Sequence, residues 1–199
     1  MTAEKIILAS KSAARRAVLT GAGVPFEVMV AGVDEDAVKT SMLAQGASPR
    51  DVADALAELK AIKISRGTAG FVIGSDQTLE FEGRLYDKAE TVEAASERLK
   101  TMRGKPHKLH SAVVVAKDGA PIWREIVSAT LTMRDFSDDF LAQYLAIEGA
   151  EALGSVGCYR LEGPGAQLFS KIEGDYFAIL GLPLMGLLDL FRRHGVLTA

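Results

Sequence analysis

The stretch that most limits what this chain can fold into is Ile6 to Leu19, written IILASKSAARRAVL. Its apolar run, Ile6 to Ala9, is too short for a helix and is cut off by hydroxyl residues, so the pattern predicts a buried β-strand. Ser10 or Ser12 is suited to cap a helix running from Ala13 to Thr20, and Gly21 and Gly23 are placed to stop it. A strand that feeds straight into a helix gathers unpaired N–H groups and the positive end of the helix dipole at one spot. The hydroxyls of Ser10 and Ser12 and the guanidiniums of Arg15 and Arg16 suit that spot to phosphate. The same spacing also describes an ordinary capped helix with two solvated arginines.

Further along, Phe26 to Val30 is a second strand candidate, ending in an acidic loop with Asp34, Glu35 and Asp36. Ser48-Pro49-Arg50-Asp51 signals a helix start: a capping serine, proline at the first position and an acid in the first turn. That helix is expected to reach about Ser65, with Val52, Leu56, Leu59 and Ile62 or Lys63 along one side. Lys60 and Lys63 fall near its C-terminal end, where the dipole favours cations. Phe71 to Ile73 reads as a short buried strand that empties into Gly74-Ser75-Asp76-Gln77. Ligands of α/β proteins gather at the carboxyl ends of strands, which makes Asp76 a site candidate; a turn aspartate capping its own loop fits equally well.

Thr78 to Arg84 reads as a β-excursion turning at Glu82-Gly83, and Thr91 caps a helix to Met102. A strand from Ser111 to Ala116 and a long return strand from Ile122 to Met133 flank an Asp118-Gly119 hairpin turn. His107 and His110 fall on opposite faces of one strand without a third ligand at metal spacing, and read as strand-edge residues. Ser137 caps a helix to about Ile147, and a glycine-punctuated segment around Glu162 precedes a strand from Leu168 to Ile172. After the apolar run Phe177 to Leu180, Pro183 opens a final helix to about Arg193. Strands separated by helices, plus one long hairpin, predict an α/β fold with a mixed sheet and flanking helices.

The 199 residues suffice for one large domain or two small lobes. A hydrophobic share of 48% with 25% charged residues is that of a soluble globular protein. The net charge of −3 argues against a nucleic-acid or membrane-surface binder, so an anionic ligand requires a local cationic patch. The single cysteine, Cys158, forms no internal disulfide and fits a reducing cytosol. Met1 to Lys5 shows no apolar targeting core, and the most apolar stretch, Ala178 to Leu190, is broken by Gly181, Pro183 and Gly186. A cytoplasmic protein is expected, with no nucleic-acid and no membrane partner.

Taken in order, these pieces resemble the Maf family of nucleotide pyrophosphatases. The matching stretches are LASKSAARRAVL (Leu8 to Leu19), PFEV and GVDED (within Pro25 to Asp36), Leu59-Lys60-Ala61, VIGSDQTL (Val72 to Leu79) and Lys88. They continue through the His107 to Ser111 strand, GCYRLEGPGAQLF (Gly157 to Phe169) and GLPL (Gly181 to Leu184). The resemblance implies one catalytic domain spanning residues 1–199, with an elongated, two-lobed fold and a central cleft. It further implies a cytosolic homodimer that hydrolyses a nucleoside triphosphate to the monophosphate and pyrophosphate with a divalent metal, Mg²⁺ or Mn²⁺. By the same resemblance Asp76 matches the catalytic base, Glu35 the acidic metal-linked residue, and Ser10, Arg15, Lys60 and Lys88 the phosphate contacts. Glu35 and Asp76 are hard oxygen donors suited to such a metal, and Ser12 and Arg16 join the cradle at the first helix. The family is also associated with arrest of cell division.

The base is marked by fewer positions. Gln77 and Glu162 resemble the family's 7-methyl-GTP branch, and a carboxylate such as Glu162 pairs with the guanine N1–H and amino group. Ala13-Ala14 departs from that branch, which has Pro-Trp there, and Lys88 stands in Tyr-Asp-Lys-Ala rather than Gly-Lys-Pro. Without the tryptophan no aromatic platform at that position stacks on a cationic purine. A dTTP/UTP pyrophosphatase is the enzymatic alternative. A non-catalytic nucleotide-binding regulator of division is the other, and Glu35 and Asp76 speak against it, since a pure anion binder gains nothing from carboxylates near the phosphates.

Overall fold

The computed structural model describes residues 4–198; residues 1–3 and 199, and with them most of the N-terminal stretch considered above, lie outside the described residues. The first turn forms as its pattern predicts: β1 (Ile6–Leu8) runs into α1 (Ala13–Gly21) with Ser12 as the cap. There follow β2 (Glu27–Val28), α2 (Glu35–Ala44), α3 (Pro49–Ser65), β3 (Phe71–Phe81), β4 (Arg84–Tyr86) and α4 (Val92–Met102). The chain continues with β5 (Pro106–Lys117), β6 (Ala120–Met133), α5 (Asp138–Glu148), β7 (Phe169–Glu173), α6 (Tyr176–Ile179) and α7 (Leu184–Arg193). Ser48, Thr91 and Ser137 cap α3, α4 and α5, each side chain accepting from a backbone N–H of the first turn.

The seven strands form a mixed sheet in the order β2-β1-β3-β5-β6-β7, with β4 paired to β3. β1 is parallel to both β2 and β3, β4 is antiparallel to β3, and β7 is antiparallel to β6 with a bulge between Thr132 and Met133. Asp118 and Gly119 both take positive φ in the tight turn between β5 and β6, the backbone that matches hairpin twist.

The chain divides into two compact units, one of Met1–Gln77, Ser111–Val127 and Asp175–Ala199, the other of Thr78–His110 and Ser128–Gly174. In the first, strand alternation sends Ile6, Leu8, Phe71, Ile73, Val113 and Val115 to one face. There they pack with Val18 and Leu19 of α1 and Leu184, Leu187 and Phe191 of α7. The opposite face is lined by small residues, Ala112, Val114 and Ala116, against Ala53, Ala57 and Ala61 of α3. Small residues on both sides let backbones approach, and Gly74 of β3 marks the closest point. A Cβ there would lie 2.1 Å from the Ala57 carbonyl oxygen and 2.6 Å from the Ala61 nitrogen, inside one turn of α3.

In the second unit, Ala95, Leu99 and Met102 of α4 and Leu141, Tyr144 and Leu145 of α5 are buried. His107, 2% exposed, pairs through Nε2 with the Tyr159 hydroxyl at 2.6 Å and lies against Phe169. Its Nδ1 is buried without a hydrogen-bond partner among the described residues. His110 joins Ser128 at 2.7 Å to Glu80 at 2.8 Å across neighbouring strands.

Four expectations are corrected. Asp34 to Asp36 is not a loop: Asp34 caps α2, its carboxylate accepting from the Ala37 N–H at 3.1 Å, and two acids in the first turn favour the dipole. Gly74 to Gln77 does not follow a short strand but lies inside β3, because Gly74 serves the contact with α3 rather than a turn. Leu59 is 41% exposed, and the buried side of α3 is Val52, Ala53, Leu56, Ala57, Lys60 and Ala61, set by that same close approach. The two histidines are interior rather than edge residues, since β5 lies between β3 and β6.

Gly74→Ala is expected to destabilise the protein by roughly 1–3 kcal/mol, because the methyl group meets helix backbone that cannot rotate away; urea denaturation measures this. Burial lowers the His107 pKa from 6.5 to about 4. Between those pH values the unfolded chain holds a proton the folded one lacks, so His107 contributes stability above about pH 6.5 that is lost toward about pH 4, on the order of 3 kcal/mol in all. Unfolding free energies at pH 7 and pH 5 should therefore differ more in the parent than in His107→Gln.

Candidate active site

Lys60 would ordinarily be a solvated helix cation, yet it is 7% exposed. The close packing of α3 on β3 at Gly74 brings its ammonium down beside Asp76, also 7% exposed, with Nζ 2.6 Å from Oδ1. A second carboxylate, Glu35, approaches the same Nζ at 2.9 Å from the start of α2. Lys63, one turn along α3, donates to the Gly32 carbonyl at 2.8 Å and ties down the chain that leads into α2. One buried ammonium thus joins two carboxylates from two different elements. A buried cation is tolerated only with such partners, and neither carboxylate would be stable this close to the other without it.

The strand–helix turn adds the second half. Ser12 caps α1 by accepting from the Arg15 N–H at 3.3 Å. Ser10 accepts from the Ser12 N–H at 3.2 Å and from Arg15 Nη1 at 3.1 Å, and Arg15 Nε donates to the Gly181 carbonyl at 2.8 Å. Arg15 is therefore held in one orientation. Burial lowers its pKa from the ordinary arginine value, opposed by the charges of Asp76 and Glu35.

Ser10, Ser12, Arg15, Glu35, Lys60, Asp76 and Gln77 all belong to the first unit. Arg16 is exposed on α1. The Gln77 amide nitrogen is engaged by the protein itself, donating to the Ala178 and Ile179 carbonyls and to Ser111. Lys88 and Glu162 are exposed residues of the second unit. Sequence reasoning missed Ser75 and Gly181, both hydrogen-bonded within this neighbourhood. The only hint was that Ser75 precedes Asp76 and Gly181 opens a Gly-Leu-Pro turn.

The donor set suits a hard divalent cation. Glu35 and Asp76 each have a carboxylate oxygen beyond the one on Lys60, and Mg²⁺ is commonly held by one or two carboxylates with substrate phosphates and water completing the shell.

A buried lysine joining a strand carboxylate to a helix carboxylate, with a fixed arginine in the first turn of another helix of an α/β fold, is the arrangement of a class of protein that handles phosphate groups. The particular family follows from comparison: the chain matches the Maf-like protein family over residues 5–194 and belongs to it. It is 58% identical over 198 residues, covering all of both chains, to a nucleoside triphosphate pyrophosphatase of Caulobacter vibrioides. It is 55% identical to a protein of the same name in Granulibacter bethesdensis, covering 98% of this chain and 99% of that one. To a 7-methyl-GTP pyrophosphatase of Brucella suis it is 49% identical over 96% of each chain.

Lys60→Met keeps the aliphatic stem and removes the charge, leaving Asp76 buried beside Glu35 without its cation. A stability loss of roughly 3 kcal/mol is expected in urea denaturation at pH 7. The loss should shrink in acidic solution, where a protonated carboxyl no longer needs a counter-ion.

Proposed function

We propose that this chain hydrolyses nucleoside triphosphates to the monophosphate and pyrophosphate, with Asp76 as the base that orients and deprotonates water. The observation that carries the reading is the Glu35–Lys60–Asp76 constellation, in a unit that also holds Arg15 fixed at the start of α1. A triphosphate is strongly anionic and would be repelled by two bare carboxylates; Lys60 offsets one of the two charges, and Arg15 supplies N–H donors to phosphate oxygens. Ser10, Ser12 and Arg16 complete the contacts at the start of α1, and the family resemblance adds Lys88 as a phosphate contact. In the reaction a water oxygen bonds to a phosphorus of the α–β anhydride, its proton passes to Asp76, and the bridging P–O bond breaks.

Glu35 and Asp76 would hold Mg²⁺ or Mn²⁺, which when bound spreads the charge that develops on the phosphate oxygens. The base favoured is 7-methylguanine, supported by the resemblance of Gln77 and Glu162 to the family's 7-methyl-GTP branch and by the Brucella relative's name. Ala14, in place of an aromatic platform, is the feature that favours a wider set of nucleotides, including dTTP and UTP. We read the protein as one catalytic domain, acting as a cytoplasmic homodimer. Among the described residues no helix is long and apolar enough to cross a membrane.

Product analysis with Mg²⁺ or Mn²⁺ across GTP, 7-methyl-GTP, dTTP, UTP and CTP tests this. Pyrophosphate should appear rather than orthophosphate. Asp76→Asn should lower turnover by about 10²-fold or more while nucleotide binding persists. Tight binding without turnover of any nucleotide would overturn the enzyme reading in favour of a regulator.

A further inference from the structure

Ser75 and Gln77 flank Asp76 on β3, so their side chains leave the strand on the face opposite to the carboxylate. Both reach one short segment, α6 and the turn after it. Ser75, fully buried, donates to the Gly181 carbonyl at 2.9 Å. Gln77 donates to the Ala178 carbonyl at 3.1 Å and the Ile179 carbonyl at 3.0 Å, and Ser111 donates to Ala178 as well at 2.6 Å. The Gly181 N–H in turn donates to Ala178 at 2.9 Å. The segment is therefore pinned from the strand that carries Asp76.

The Gly181 carbonyl is where this pinning meets Arg15. It accepts from Ser75 and from Arg15 Nε, which uses both of its lone pairs and fixes the guanidinium plane. Gly181 has φ +95°, a backbone that side-chain-bearing residues rarely adopt, and a Cβ there would lie 3.4 Å from Arg15 Nε. We infer that Ser75 and the Gly181 carbonyl are positioning groups that aim the Arg15 guanidinium at phosphate. The strand that supplies the carboxylate thereby also sets the arginine. This rests on the reading of Arg15 as a phosphate contact. Nε and one Nη1 N–H are engaged internally, and the remaining N–H groups keep a fixed direction. An arginine ordered before binding loses less rotamer freedom when the anion arrives.

The test is binding of inorganic tripolyphosphate by calorimetry, with KM and kcat for the best nucleotide, in Ser75→Ala, Arg15→Ala and the double variant. Ser75→Ala is expected to weaken tripolyphosphate binding and raise KM about fivefold, the value of one hydrogen bond, with a smaller change in kcat. In the Arg15→Ala background Ser75→Ala should cost nothing further, a coupling that a merely structural serine would not show. Ser75→Cys, of similar shape and a weaker donor, should fall between, and Gly181→Ala should reproduce the loss; these two carry the test if Ser75→Ala does not fold. Unchanged binding in the Ser75 variants, or additive losses in the double variant, would overturn the inference while leaving Arg15 as a phosphate contact. Unchanged binding and turnover in Arg15→Ala would overturn both.

Discussion

The contact between α3 and β3 at Gly74 is what the rest of the site depends on. With no side chain at Gly74 and only methyl groups at Ala57 and Ala61, helix backbone comes against strand backbone. Lys60 lies on that buried side of α3, so the same approach draws its ammonium out of water. A desolvated ammonium must find carboxylates, and Asp76, two residues beyond Gly74 on the same face of β3, is the one the strand supplies. Glu35 follows because Lys63 fastens the chain before α2 to the same helix. A packing choice among the smallest residues thus becomes an electrostatic arrangement.

β3 works on both of its faces. Gly74 and Asp76 face α3 and its lysine, while Ser75 and Gln77 hold the segment from Ala178 to Gly181. A side chain on a strand interior is more rigidly placed than one on a loop, because the ladder on either side fixes its backbone. The charges are balanced in the same local way. The two carboxylates are offset by the Lys60 ammonium they share, and Arg15 adds a second cation held at the start of α1. Such a site needs no overall basic charge, which reconciles an anionic substrate with a net charge of −3.

The elements with strong local signals were legible in the sequence. β1, α1 and the caps Ser12, Ser48, Thr91 and Ser137 fall where composition places them, since hydroxyl caps and apolar runs act within a few residues. α2 was hidden because three acids read equally as a solvated turn, and only the Asp34 cap shows that they open a helix. The length of β3 was hidden because glycine, serine and aspartate in a row are turn residues by local preference. Tertiary contact with α3 overrides that preference.

The residues Glu35, Lys60, Asp76 and Arg15 were each nominated by the sequence, by type and by resemblance, with no indication of how they meet. Chain order alone determined the mixed α/β class, the caps and the phosphate-suited turn, because these follow from periodicity and from hydrogen bonds between near neighbours. The tertiary structure decided that Lys60 is buried rather than solvated, that it joins Glu35 to Asp76, and that Arg15 is braced by Gly181 across 166 positions of chain. Desolvation and long-range backbone contacts make those decisions, and neither leaves a mark in local sequence.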